Sequence, residues 1–221
     1  MKIAIDGPSG SGKSTLAKAL AKKLGLTYVD TGALYRTVGL YSKNAGIALT
    51  DIKDTVKVLD KVTVEMKYYD GEQRVYLNGD DVSSLIRTGE ISMYASAVSA
   101  IPEVRSFLLG LQKDMVERGN VIMDGRDIGT VIMPDADVKI FLQSSTEARA
   151  HRRYLELLEK GENCTEKEVL ADIEKRDNND KSRAIAPAVP AEDAVFLDNS
   201  KLDIEGTVDA AMKIISEKCS L

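Results

Sequence analysis

Gly7-Pro8-Ser9-Gly10-Ser11-Gly12-Lys13-Ser14 fits the spacing G-x-x-x-x-G-K-[ST]. Glycines at these positions let backbone N–H groups curl around a phosphate without Cβ clashes. The run Ile3-Ala4-Ile5-Asp6 leads into the loop and reads as a strand. Residues 13–24 follow it, with Leu16, Leu20 and Leu24 at helical spacing and Gly25 where a C-terminal cap belongs. A helix that opens at the loop turns its positive N-terminal end toward the phosphates. Lys13 then reaches β- and γ-phosphate oxygens, and the Ser14 hydroxyl is available to Mg²⁺. The strand before and the periodic helix after distinguish this loop from an ordinary glycine-rich turn, and they predict an ATP site.

Other apolar runs extend the pattern: Tyr28-Val29-Asp30, Val121-Ile122-Met123-Asp124, Val138-Lys139-Ile140-Phe141-Leu142 and Ala194-Val195-Phe196-Leu197-Asp198. Runs without alternation suit strands buried on both faces, as in a parallel sheet. Helical patterns separate them, some opening on capping residues such as Ser144-Ser145-Thr146-Glu147. The fold class expected is α/β, a P-loop NTPase core with a five-stranded parallel sheet flanked by helices. Residues 62–79 differ. Val62, Val64, Met66 and Tyr68 alternate, then Asp70-Gly71-Glu72-Gln73 precedes Val75 and Leu77. This pattern predicts an antiparallel hairpin in an inserted subdomain between about 60 and 105. The alternative is a decorated edge of the core sheet. The stretch Ala184 to Ala191, with Pro187 and Pro190, reads as a loop.

The 221 residues are 43% hydrophobic and 29% charged, with net charge −5. That balance suits a globular domain and disfavours a nucleic-acid partner, which usually needs a basic surface. Two cysteines, Cys164 and Cys219, and one histidine, His151, cannot build a usual zinc site or a disulfide framework. No run approaches the roughly 20 apolar residues of a membrane span, and the N-terminal apolar run is too short for a signal peptide. A cytoplasmic protein is the expectation.

Arginines decide what receives the phosphate. Asp30-Thr31-Gly32-Ala33-Leu34-Tyr35-Arg36 ends the second strand, where ligands gather in doubly wound sheets. Thr31 and Arg36 fit a second phosphate there, or Thr31 is a helix N-cap and Arg36 is solvated. Asp124 ends a strand beside the loop and reads as a carboxylate near the metal. After Gly125, Arg126 points where donor and acceptor phosphates meet, with the planar fork and permanent charge that suit the task. Arg176, Asp180 and Arg183 share one face if residues 176–183 are helical, which suits a phosphate and sugar site or a solvated salt-bridge ladder. Arg149, Arg152 and Arg153 precede Glu159-Lys160-Gly161-Glu162-Asn163, a pattern of either a mobile flap over the ATP phosphates or a solvated helix.

Taken together the chain resembles the bacterial cytidylate kinases over almost its whole length. The motifs, in order, are Ile5 to Thr15, Asp30 to Arg36, Asp124-Gly125-Arg126-Asp127-Ile128-Gly129-Thr130, and Arg176-Asp177 through Arg183-Ala184. The resemblance implies transfer of the ATP γ-phosphoryl group to CMP or dCMP by a monomer. Gly7, Pro8, Ser9, Gly10, Ser11, Gly12, Lys13, Ser14 and Thr15 would hold ATP, and Ser14 and Asp124 would hold Mg²⁺. Thr31, Arg36, Arg126 and Arg176 would hold the acceptor phosphate, and Asp180 would face the sugar. Ser96, Arg105, Asp127 and Arg183 would read cytosine. Lys13, Arg126, Arg149, Arg153 and Arg176 are the expected catalytic set. The implied division is a core (1–30, 106–148, 170–221), a monophosphate-binding region with its β insert (31–105) and a helical lid (149–169). Rivals are a kinase for UMP or another acceptor, a GTPase switch, for which N-K-x-D is missing, and a nucleic-acid ATPase.

Overall fold

A computed structural model describes every residue except 70, 71, 118, 160, 184, 220 and 221. In chain order the elements are β1 (Lys2–Asp6), α1 (Lys13–Leu24), β2 (Thr27–Asp30), α2 (Thr31–Asn44), a 3-10 segment (Leu49–Lys61), β3 (Val64–Tyr69), β4 (Glu72–Leu77), β5 (Asp80–Asp81), α3 (Gly89–Val98) and α4 (Pro102–Glu117). Then come β6 (Val121–Gly125), a π turn (Ile128–Ile132), β7 (Val138–Gln143), α5 (Thr146–Glu159), α6 (Glu166–Lys181), β8 (Val195–Asp198) and α7 (Ile204–Cys219).

The five expected strands form one sheet in the order β2-β6-β1-β7-β8, every pair parallel. The absence of alternation has the expected cause. Ile3, Ile5, Ile122, Ile140 and Leu142 face α1 and α7, whereas Ala4, Val29 and Met123 face α2, α4 and the insert. Each such Ile or Leu contributes about 1.5–3 kcal/mol through burial. Gly25 caps α1 at φ 66°, and its N–H donates to the Ala21 carbonyl.

The second sheet is β3-β4-β5, antiparallel, with Val64 opposite Leu77 and Tyr69 opposite Glu72. Glu72 and Gln73, expected in the turn, belong to the strand, and the expected Asp70 and Gly71 lie outside the described residues. Three short strands cannot bury both faces. Their apolar face, with Val64, Met66, Val75 and Leu77, joins the hydrophobic cluster that contains Val29, Leu34 and Met123. The insert therefore has no separate core. α2 and α3 approach so closely that a Cβ on Gly39 would lie 2.9 Å from the Tyr94 Cβ.

Thr31 is not the cap of α2. Asp30 is, its side chain accepting from the Ala33 N–H, and Thr31 Oγ1 instead donates to the Asp124 carbonyl at 2.8 Å. α6 opens on a capping box of Thr165 and Glu168 and ends at Lys181, where the Ser182 N–H closes on the Asn178 carbonyl. Arg183 thus lies past the helix and shares no helical face with Arg176. Of the stretch before α6, Lys160 lies outside the described residues, as does Ala184 of the later loop. α5 and α6 pack through Ala150, Leu157, Val169 and Ile173.

Candidate active site

The carboxyl ends of β1, β2 and β6 open into a cleft of about 1040 Å³ lined by the phosphate loop at one end and by arginines from α2, α4, α5 and α6 and from the segments just after β6 and α6. At the loop, Gly7 has φ 152°, and a Cβ there would lie 2.2 Å from the Leu142 carbonyl oxygen, so no other residue fits between β1 and β7. Gly12, at φ 90°, precedes α1 without a side-chain cap, which leaves the helix's first N–H groups to a ligand. Lys13 is buried. Its Nζ donates to the Pro8 carbonyl at 2.7 Å, and burial, then the nearby Arg126, pull its pKa down to about 7.

Ser14 Oγ donates to Asp124 Oδ2 at 2.7 Å, and Tyr28 OH donates to Asp124 Oδ1 at 2.8 Å. Burial, then Asp30, pushes the Asp124 carboxyl up, and burial pushes the Tyr28 phenol up as well. A hydroxyl and an electrostatically disfavoured carboxylate side by side are the hard-oxygen donors that suit Mg²⁺. No group of three or more His, Cys, Asp or Glu side chains gathers as a metal site among the described residues.

At the other end the charges are positive and paired. Arg36 donates to Asp30 at 2.7 Å, and Arg87 reaches the same carboxylate oxygen at 2.8 Å. Arg36 Nε has no hydrogen-bond partner among the described residues. Burial opposes the charge on Asp30, but Arg36 and Arg87 hold its carboxyl below the usual range. Arg126 Nε donates to Asp180 at 2.7 Å, and Arg183 contacts the other Asp180 oxygen. Burial works against ionisation of Asp180 too, and Arg126 and Arg183 outweigh it. Burial, then Arg126, disfavours the charge on Arg176, an electrostatic deficit that an anion would relieve.

Deeper in, Arg105 and Asp127 form a buried ion pair, each side chain 8% exposed. Arg105 also donates to the Ser99 carbonyl at 3.3 Å and lies 5.6 Å from the Tyr35 ring centroid. Burial keeps the Asp127 carboxyl raised in spite of Arg105 and Arg183. Ser96 Oγ is buried without a partner among the described residues. Thr31, Arg36, Ser96, Arg105, Arg126, Asp127, Arg176, Asp180 and Arg183 all line the one cleft.

Of the expected residues, Gly7, Pro8 and Ser11 are not on that lining, and neither is Arg149. It points behind the phosphate loop, where its Nη1 donates to the Ser9 carbonyl at 2.9 Å and pairs with Asp177 at 2.7 Å. The helical period that puts Arg149 and Arg153 on one side does not make both face the cleft, because α6 covers the start of α5. Arg152 and Arg153 do line it. Residues passed over in the sequence also matter. Asn199 Nδ2 donates to the Ser11 carbonyl at 2.9 Å, and its own carbonyl accepts from Arg152 at 2.6 Å. Its place just beyond the strand-ending Asp198 was the available signal. Asp6 is buried and receives the N–H groups of Ile128 at 2.9 Å and Gly129 at 2.7 Å, and burial lifts its pKa to about 6. No local pattern marks that long-range role.

The fold is similar to that of an uncharacterized protein from Eubacterium ventriosum (TM-score 0.55, 14% identity, 98% of each chain) and of a gluconokinase from Sinorhizobium meliloti (TM-score 0.51, 15% identity, 98% of this chain and 91% of that one). Sequence similarity is far closer to cytidylate kinases. That of Fervidobacterium nodosum is 50% identical over 222 residues, covering 100% of this chain and 98% of the relative. That of Caldicellulosiruptor saccharolyticus is 47% identical over 214 residues, covering 97% and 95%. The cytidylate kinase family model matches residues 3–217, and with the phosphate loop and the arginine-lined pocket in one cleft, the chain belongs to the cytidylate kinase family.

Proposed function

We propose that the chain transfers the γ-phosphoryl group of ATP to CMP or dCMP, giving ADP and CDP or dCDP. The observation that carries this reading is the single cleft, with a phosphate loop at one end and Ser96, Arg105 and Asp127 at the other. Residues 7–15 cradle the ATP phosphates, and Lys13 exchanges its Pro8 contact for phosphate oxygens. Arg152 and Arg153 flank the donor side, a role better suited to them than to Arg149. Thr31, Arg36, Arg126 and Arg176 hold the acceptor phosphate and Asp180 the sugar. Arg36 Nε has no partner among the described residues, and Arg126 sits next to the buried Lys13.

The acceptor phosphate is already anionic, so no general base is required. The arginines and Lys13 bring two anions together and stabilise charge on the transferring group. Ser14 and Asp124 would hold Mg²⁺, which neutralises charge on the donor phosphates when bound. The unpartnered Ser96 hydroxyl, with Arg105, Asp127 and Arg183, offers donors and acceptors for cytosine.

In this reading 1–30, 106–148 and 170–221 serve as the core, 31–105 as the monophosphate region and 149–169 as a lid that excludes water. The enzyme acts as a cytoplasmic monomer without a nucleic-acid partner. No described helix is long and apolar enough to cross a membrane. A coupled ADP-release assay with CMP, dCMP, UMP, AMP and GMP, each against a no-acceptor control, tests the whole. Turnover confined to CMP and dCMP is expected. Equal turnover with UMP would remove Ser96, Arg105, Asp127 and Arg183 from base reading.

A further inference from the structure

Ser9 is gripped on both of its backbone groups. Its N–H donates to Asp177 Oδ1 at 3.3 Å, and its carbonyl accepts from Arg149 Nη1 at 2.9 Å. Arg149 and Asp177 pair with each other at 2.7 Å, which closes a ring around Ser9 and the two successive peptide units that meet at its Cα in the phosphate loop. Both residues are buried, at 3% and 9% exposure. The other Arg149 donors are also occupied, Nε by the Ser144 carbonyl at 3.1 Å and Nη2 by Thr146 Oγ1 at 3.0 Å. The same two helices press on the next residue. A Cβ on Gly10 would lie 3.5 Å from the Arg149 Cβ and 3.8 Å from Ile173 Cδ1.

We infer that Arg149 and Asp177 are positioning residues, a buried ion pair from α5 and α6 that sets the conformation of the phosphate loop and so its affinity for the nucleotide donor, without contact with the phosphates. A loop with a run of glycines has many accessible conformations, and only one aims its N–H groups at a common point. Fixing the peptide groups on both sides of Ser9 removes much of that freedom before the ligand arrives, which is how preorganisation raises affinity. Asp177 is also flanked on α6 by Arg176 and Asp180, which face the cleft, so one helical turn serves the loop and the acceptor pocket together. The inference rests on the donor reading proposed above.

The test compares wild type with Asp177→Ala, Asp177→Asn, Arg149→Met and the double variant R149M/D177A. ADP and CMP affinities are measured separately by calorimetry, and amide hydrogen exchange follows the peptide that spans the loop. Hydrogen bonds to charged groups imply roughly tenfold to hundredfold weaker ADP binding in Asp177→Ala and in Arg149→Met. CMP binding stays within about threefold, because neither Arg149 nor Asp177 itself lines the acceptor pocket. The double variant is no worse than the weaker single, since the two residues pair with each other and act together on Ser9. Asp177→Asn keeps an acceptor for the Ser9 N–H and recovers part of the loss. Loop exchange accelerates in the weakened variants while that of β6 does not, a pattern global destabilisation would not produce. ADP affinity and loop exchange equal to wild type in all variants would overturn the inference. So would an Arg149→Met enzyme that binds ADP normally but loses about 10³-fold in kcat, the mark of direct contact with the transferring group. Wild type that binds CMP but not ADP would remove the donor reading itself, and the inference with it.

Discussion

Replacing Asp127 with alanine leaves Arg105 buried, with the hydrogen bond to the Ser99 carbonyl at 3.3 Å and the Tyr35 ring 5.6 Å away. Removing one partner of a buried pair costs about 3–5 kcal/mol, because the other charge stays desolvated. Burial already holds the Asp127 carboxyl raised despite three nearby arginines, so the pair itself bears a desolvation cost and the lower end, about 3 kcal/mol, applies. For a chain of this length each kcal/mol moves Tm by roughly 2–4 °C, so Tm should fall by roughly 6–12 °C. The double variant Arg105→Met/Asp127→Leu removes both charges and fills the volume, and should return stability to within about 1 kcal/mol of wild type. It should not return activity. A pocket built to hydrogen-bond its substrate loses about 10²-fold or more in kcat/KM for CMP when those groups go. Scanning calorimetry and steady-state kinetics on wild type, D127A and the double variant separate the two effects. A double variant with wild-type stability and wild-type CMP turnover would refute the assignment of the pair to base recognition, and an Asp127→Ala melt within about 1 °C of wild type would refute the energetic reasoning.

Ser96→Ala removes a buried hydroxyl that has no partner among the described residues, so thermal stability should hold or rise slightly while KM for CMP rises about tenfold; a drop in Tm with unchanged KM would contradict both halves. Gly7→Ala drives a Cβ to 2.2 Å from the Leu142 carbonyl at φ 152°, so strain and overpacking should cost at least ~3 kcal/mol, and a thermal melt indistinguishable from wild type would show that β1 and β7 yield more readily than their register suggests. Lys13 offers a pH signature. Its folded value near 7 lies below the ordinary 10.5, so the free folded protein binds fewer protons than the unfolded chain between those values, and stability rises with pH across that window. Nucleotide phosphates should restore its charge, so ADP binding at pH 8 should take up roughly half to one proton, read by calorimetry in buffers of different ionisation enthalpy, and binding with no proton uptake would count against it.

The strands, the phosphate loop and the first helix were legible because each is written within a dozen residues. Ile3 to Asp6, the glycines to Gly12, and Leu16, Leu20 and Leu24 obey backbone periodicity and steric rules that act locally. The hairpin was legible for the same reason, since Val64 and Met66 alternate whatever they pack against, but its sharing of a core with Val29 and Met123 was not. The end of α6 before Arg183 was also hidden, because a periodic pattern does not announce where solvent-exposed turns stop.

Residue type and motif order alone determined that this chain binds phosphates and belongs among cytidylate kinases. Only the tertiary structure decided where each arginine lies and what it pairs with. Arg149, Arg152 and Arg153 are near-equivalent in sequence, yet α6 covers one and leaves two on the cleft. Ser96 acquires meaning when α3 packs on α2 at Gly39, and Arg105 when Asp127 meets it across 22 residues. An arginine's role depends on which carboxylates, carbonyls and ligands lie within about 3 Å and on how much water remains, and distant segments of the chain supply both.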